Sequence, residues 1–388
     1  MSGDQTTQPL SVAGLFTGIG GIERGLYASG HHTEFLNEIW EPARMVLESH
    51  FEGIDLTPDV RDITGLPSVD LVSAGFPCQD LSQAGRTAGI GGENSGLVGE
   101  VFRLIEPDDA PDWVLLENVP FMLRLDRGEA MRYLTATLDE MGYAWAYRVV
   151  DTRAFGLPQR RKRVILLASR SHDPREVLFV GSEEPREPEP DEHTAYGFYW
   201  TEGLRGLGWG VSCVPTLKGG SSVGIPSPPA IWMPDGSVVT PDIRDAERLQ
   251  GFPADWTRPA DDLHKSRAGN RWKLVGNAVS VSLSTWVGER FLDPQKYEFA
   301  EDEVLQEGDS WPSAAWGTDG KAHRVELSEW PVTMPYIDLV DFLEYPAKPL
   351  SQRAASGFLS RAERSGLRFV DGFLNDVATH IERVTEAS

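Results

Sequence analysis

Apolar positions along the chain fall into short continuous runs separated by turns and by stretches of helical period. Ser11 to Phe16 reads as a first strand, and Thr17-Gly18-Ile19-Gly20-Gly21 as a glycine-rich turn that opens a helix through Leu26. Strands are predicted over Thr33 to Asn37, Val69 to Ala74, Pro111 to Leu116, Ala144 to Asp151 and Val164 to Ser169. Helices are predicted over Pro42 to Phe51, Gly96 to Glu106 and Met131 to Met141. Apolar runs that alternate with helices indicate parallel strands buried on both faces, so the first half reads as a Rossmann-like α/β domain.

The pattern changes after Ser171. From there to about Pro241, Pro, Gly, Ser and aromatic residues dominate without helical period, which predicts a separate small domain of short strands and loops. Asp242 to Gln250 reads as a short helix, and Gly276-Asn277-Ala278-Val279 leads into a helix reaching about Phe291. Acidic stretches at 183–192 and 301–303 read as solvated loops. Near the end, Phe373, Val377, Ile381 and Val384 share one helix face, as expected of a helix packed on a core.

Composition narrows the classes. The 388 residues suffice for two domains. Two cysteines without a C-x-x-C pair argue against a disulfide framework and a zinc site, so no metal is expected and a reducing cytoplasm is the default. No stretch approaches the ~20 apolar residues of a spanning helix, so no membrane partner is expected. The formal net charge of −23 opposes a polyanionic partner. Its distribution qualifies that: Thr152 to His172 contains no acidic residue but holds Arg153, Arg160, Arg161, Lys162, Arg163 and Arg170.

Several side chains carry candidate chemistry. The strand ending at Ala74 delivers Gly75-Phe76-Pro77-Cys78-Gln79 to its carboxyl end, the edge where open α/β sheets bind ligands. Cys78 follows a proline that fixes the backbone, a place suited to a nucleophilic thiolate or, equally, to a small buried filler. Glu117 ends the next strand on the same edge, where desolvation favours a proton-donating acid; a cap by Glu117 or Asn118 ahead of Pro120 is the other reading. Arg161 and Arg163 alternate into a strand, which puts both on one face to hold a phosphate or a base carbonyl. The glycine turn either lets a ligand approach the backbone or is a tight structural turn; Glu38 can accept from a ribose diol with Ile39 and Trp40 as an apolar wall, and Asp62 from an adenine amino group, though each carboxylate alone also reads as a surface charge or helix cap. Together these favour an adenosine-containing cofactor. Ser82 to Asn94, polar and glycine-rich, reads as a mobile loop.

Phe16-Thr17-Gly18-Ile19-Gly20-Gly21, Gly75-Phe76-Pro77-Cys78-Gln79, Glu117-Asn118-Val119, Gln159 to Arg163, Arg244 to Pro253 and Gly276-Asn277-Ala278-Val279 resemble, in order and spacing, the motifs of the bacterial C5-cytosine DNA methyltransferases. The resemblance covers about residues 11–292. It implies a Rossmann-like S-adenosylmethionine methyltransferase domain over 8–170, completed by 268–292 packed beside the first strand. It further implies a smaller, irregular β-rich target-recognition domain over 171–267, and it leaves 293–388 as an extension without a role. S-adenosyl-L-methionine is the implied methyl donor, surrounded by Phe16, Gly18, Ile19, Gly20, Gly21, Glu38, Ile39, Asp62, Pro77, Leu97, Asn277 and Val279. Cys78 is the implied nucleophile, with Glu117, Arg161 and Arg163 around a cytosine flipped from duplex DNA and Ser82 to Asn94 as its lid. A monomer on DNA, accompanied by restriction or defence proteins, fits the same resemblance. Two departures stand out: Trp40 occupies a place where an acidic residue is common, and Asn94-Ser95-Gly96-Leu97 lacks an arginine before its glycine. A tRNA cytosine methyltransferase, a silent DNA-binding paralogue and a nicotinamide oxidoreductase are the competing readings. The aromatic-rich domain, the intact Cys78, Glu117 and Arg163, and the Pro-Cys-Gln loop respectively oppose them.

Overall fold

A strand covered on both faces has to be apolar throughout, and Leu71–Ala74 is buried at every position. It lies within a ten-stranded sheet of the computed structural model, which describes residues 8–76, 96–106, 110–219, 228–262, 269–298, 302–306 and 308–387. The strands are β1 (Ser11–Leu15), β2 (His32–Asn37), β3 (Asp55–Thr57), β4 (Leu71–Ala74), β5 (Trp113–Asn118), β6 (Ala144–Asp151), β7 (Lys162–Ser169), β8 (Glu303–Val304), β9 (Ala314–Thr318) and β10 (Lys321–Arg324). Their order is β8-β10-β9-β6-β7-β5-β4-β1-β2-β3. From β5 to β3 all neighbours run parallel, and from β5 through β7, β6, β9, β10 and β8 they run antiparallel. Parallel neighbours need crossovers, which helices α1 (Gly21–Ala28), α2 (Glu41–His50) and α3 (Leu97–Ile105) help to provide, while α4 (Glu129–Glu140) joins β5 to β6 on the far side of β7. This is the Rossmann-like α/β architecture expected from the apolar runs.

The chain forms two compact units. The first comprises residues up to Asp151, Lys162–Pro185 and Val279–Thr333; the second comprises Thr152–Arg161, Arg186–Ala278 and Met334–Ser388. In the first unit, α5 (Val281–Leu292) packs against α1 through small residues. A Cβ on Gly25 would stand 2.4 Å from Ser284 Cβ, and one on Gly288 would stand 1.9 Å from Ser29 Oγ. Only glycine permits so close an approach. The return was expected over 268–292 beside the first strand. It begins at Val279 and meets α1, because the small residues lie on that helix, while the helix Asn270–Asn277 belongs to the second unit.

The segment beyond residue 293 is divided rather than appended. β9 pairs with β6, Trp316 opposite Ala146, and so covers backbone groups that an edge strand would leave unpaired. Tyr147 donates to the Pro312 carbonyl at 2.9 Å, and the Trp311 indole to that of Gly128 at 3.0 Å. Residues 334–388 lie in the second unit. There Lys348–Pro349 adds the last strand to an antiparallel sheet whose other strands are Gly210–Val211, Tyr196–Phe198, Ala230–Trp232 and Val238–Thr240. The helices Gln352–Glu363 and Phe373–Glu386 supply Phe358, Phe373 and Val377 to the core built on Phe198, Val238 and Leu350. Buried Asp245 accepts from the backbone N–H groups of Glu344 and Tyr345 at 3.1 and 3.0 Å. Among the described residues no helix is long and apolar enough to cross a membrane.

Phe373→Ala removes a fully buried ring from that core. It should destabilise the second unit by about 3–5 kcal/mol in urea unfolding. A loss below about 1 kcal/mol would show that the C-terminal helices do not carry this core.

Candidate active site

The carboxyl ends of β1, β2, β4 and β5 lie at one edge of the sheet, and the side chains there are fixed by backbone groups. After β1, Phe16 takes the left-handed conformation at φ 52°, a strain tolerated mostly at functional turns. Thr17 N–H donates to the Asn37 carbonyl at 2.9 Å. Glu38 accepts from Gly18 N–H at 2.8 Å and from Trp40 N–H at 2.7 Å, so both carboxylate oxygens are oriented. Burial raises the Glu38 pKa, and these N–H groups partly offset it. Beside it Ile39 is 63 % exposed. Gly18, at φ +60°, has open space where a Cβ would be.

The other expected cofactor residues separate into two groups. Ile19 is buried; Gly20 and Gly21 make room for packing. A Cβ on Gly20 would meet the Phe51 ring at 2.5 Å, and one on Gly21 would stand 2.3 Å from the Val279 carbonyl oxygen. Val279 is itself buried, and its Cγ2 lies 4.0 Å from where a Gly75 Cβ would stand. Asp62 is exposed at the end of the short helix Val60–Asp62, and Leu97 is half-buried at the start of α3. Asn277 is exposed and belongs to the second unit, so the described geometry does not join it to the rest.

Pro77, Cys78 and the Ser82 to Asn94 loop lie outside the described residues. The residues leading to them are firmly held. Phe76 is buried, and its carbonyl accepts from Asn118 Nδ2 at 3.1 Å, while Asn118 Oδ1 accepts from Val119 N–H at 2.9 Å. Next to Asn118, Glu117 Oε1 meets Arg163 Nε at 2.7 Å, with the side chains only 10 and 9 % exposed. Glu117 Oε2 lies 3.6 Å from the Cβ position of Gly75. Arg163 Nη1 also donates to the Lys162 carbonyl at 2.7 Å. Removing one partner of such a pair costs about 3–5 kcal/mol because the other charge is left buried.

Arg161 differs from the expectation. β7 starts only at Lys162, so the alternation does not carry Arg161 and Arg163 onto one face of one strand. Arg161 is fully buried in the second unit, where its guanidinium donates to the carbonyls of Leu217, Gly276 and Ala278. It is a backbone clamp rather than an arginine presented to a phosphate. Gln159 works similarly: its amide donates to the Leu249 carbonyl at 2.8 Å and accepts from Leu217 N–H at 2.9 Å. Asn118, read from the sequence only as a possible cap, fixes the main chain ahead of Cys78. An amide directly after Glu117 on the strand that neighbours β4 was the available signal.

Backbone-oriented Glu38 at the end of β2 and the buried Glu117–Arg163 pair at the end of β5 stand at the carboxyl edge of an α/β sheet. Residues 10–200 match the model of the family described as C-5 cytosine-specific DNA methylase. The Type II methyltransferase M2.BsuMI of Bacillus subtilis is 52 % identical over 95 % of this chain and 97 % of its own. The Type II methyltransferase M.DsaV of Dactylococcopsis salina is 29 % identical over 72 % of this chain and 84 % of its own. The chain belongs to the C-5 cytosine-specific DNA methylase family, and it is a DNA cytosine-5 methyltransferase of the restriction–modification type. Among solved structures, the Dnmt2 methyltransferase of S. pombe superposes with a TM-score of 0.54 at 16 % identity, covering 73 % of this chain and 98 % of its own. A methyltransferase of Entamoeba histolytica, EhMeth, gives 0.50 at 14 % identity over 74 and 98 %. At these identities the likeness is one of fold.

Arg161→Ala would leave several buried carbonyls without their donor. It should lower the second unit's unfolding free energy by about 3 kcal/mol or more. A variant that unfolds at the native denaturant midpoint would contradict the clamp.

Proposed function

We propose that the protein methylates carbon 5 of a cytosine flipped out of duplex DNA, through a covalent adduct with Cys78, using S-adenosyl-L-methionine. The observation that carries the reading is the Glu117–Arg163 pair beside Gly75 and Phe76, the two residues ahead of Pro77-Cys78. The donor set at the sheet edge fits the cofactor. Glu38 suits a ribose diol, exposed Ile39 a purine face, and open Gly18 a close backbone approach, and Asp62 is the proposed acceptor from an adenine amino group. When bound, S-adenosylmethionine supplies an electrophilic methyl group on a sulfonium.

The chain's own residues have to make carbon 5 nucleophilic. The Cys78 thiolate adds to carbon 6 of the ring, and electron density moves to carbon 5. Glu117 hydrogen-bonds or protonates ring N3 as the thiolate adds, and Arg163 holds the exocyclic oxygen; both act from a site shielded from water. Carbon 5 takes the methyl group, its proton is lost to a base, and elimination expels Cys78. A base inside a duplex is out of reach of these groups, so the target is extruded at a cost of a few kcal/mol. The second unit, with its aromatic-rich sheet, reads the flanking sequence in this account, and cognate restriction or defence proteins are its expected companions. A monomer on DNA is the assembly consistent with this reading.

Transfer of labelled methyl from S-adenosylmethionine to duplex DNA tests the proposal. The native protein should modify one sequence context, Cys78→Ala should give no transfer, and Glu117→Gln should fall about 10²-fold or more. Undiminished transfer by Cys78→Ala, or transfer to RNA alone, would refute it.

A further inference from the structure

A buried carboxyl needs either a charged partner or a proton. Glu23, in the first turn of α1, is 1 % exposed. Its Oε1 accepts from Ser73 Oγ at 2.8 Å. Gly14 and Ser73 are paired neighbours on β1 and β4, and the carboxyl lies over this pair. Oε1 stands 2.5 Å, and Thr17 Oγ1 3.1 Å, from the point where a Gly14 Cβ would be, so the absent side chain is what admits the carboxyl. Among the described residues Glu23 Oε2, Thr17 Oγ1 and Ser280 Oγ are buried without a hydrogen-bond partner. An ionised Oε2 would have no donor there, whereas the neutral acid brings a donor of its own.

The location gives the group a task. Helix α1 follows directly on the Gly18–Gly21 turn, and Ser73 lies on β4, after which the chain continues through Gly75 and Phe76 to Pro77-Cys78 in sequence. One carboxyl therefore spans the two segments that the methyl transfer must hold in register.

We infer that Glu23 is a positioning residue that, as the neutral acid, sets the cofactor turn against the strand leading to Cys78. This rests on the cofactor reading given above. Burial is the main cause that raises the Glu23 pKa to about 7, partly offset by its own backbone N–H and by Ser73. The groups facing it are Gly14 on β1, Thr17 just beyond β1 and Ser73 on β4, none of which titrates near neutrality. On α1 itself, Arg24 follows Glu23. His31, just beyond the helix, is held by the Gly288 carbonyl, and burial lowers its pKa from the ordinary histidine value.

The sign follows from linkage. The unfolded carboxyl ionises near 4.5 and the folded one near 7, so the folded state holds the extra proton between them. Stability contributed by the protonated group therefore declines as pH rises through that interval and then levels. Thermal unfolding of the unliganded native protein, Glu23→Gln and Glu23→Ala from pH 5 to 9 should show Glu23→Gln gaining on the native protein up to about pH 7 and by a constant margin above it. Calorimetric binding of S-adenosylmethionine should weaken about tenfold per pH unit above 7 in the native protein and stay flat in Glu23→Gln. Glu23→Ala should bind about tenfold more weakly than Glu23→Gln at every pH, a loss that the glutamine rescues. Parallel melting profiles for native and Glu23→Gln, or native affinity in Glu23→Ala, would overturn the inference. Should the native protein bind no cofactor while the melting difference keeps its pH dependence, the cofactor reading falls and the positioning role falls with it.

Discussion

A carboxylate nine-tenths withdrawn from water is stable only beside a cation, and for Glu117 that cation is Arg163. The pairing depends on topology. Glu117 and Arg163 lie on neighbouring antiparallel strands near the ends where β5 finishes and β7 begins, so both side chains arrive at the same edge. Because β4 runs parallel to β5, its own end brings Gly75 and Phe76 to that edge too. Asn118 then secures the Phe76 carbonyl, and the main chain departs for Cys78 from a fixed point. The chemistry proposed for the site needs an acid and a cation held before the substrate arrives, which is what this arrangement provides.

Close backbone approach is the second constraint. Val279, reached only after the chain has passed through the second unit, places its carbonyl against Gly21 and its side chain near Gly75. A side chain at Gly21 would displace the returning segment. The returning helix α5 meets α1 at glycines for the same reason. The Gly18–Gly21 turn is therefore shaped by side chains and backbone from elsewhere in the sequence: Gly20 admits the Phe51 ring and Gly21 the Val279 carbonyl, while Gly18 N–H is taken by Glu38.

The strands of the catalytic sheet were legible because burial on both faces leaves an uninterrupted apolar run, as in β4 and β5. Their carboxyl ends then located Glu38 and Glu117. Alternation presumes one continuous strand, whereas the strand begins only at Lys162 and the Arg161 guanidinium meets the carbonyls of Leu217, Gly276 and Ala278, long-range partners that no local pattern reveals. The split of residues beyond 293 was hidden similarly. β9 is short and joins β6 across a long sequence gap, while Phe373 and Val377 announced a buried helix face without saying which core it would enter. Asn118 was visible but ambiguous, since an asparagine at a strand end caps a helix as readily as it fixes a neighbouring loop.

The most direct test is mass mapping of the protein after incubation with S-adenosylmethionine and a duplex whose target cytosine carries fluorine at carbon 5. Fluorine cannot leave as the proton does, so elimination is blocked and the adduct persists. The account predicts a stable protein–DNA species joined through Cys78. Absence of any adduct, or attachment at Cys213, would contradict the covalent route.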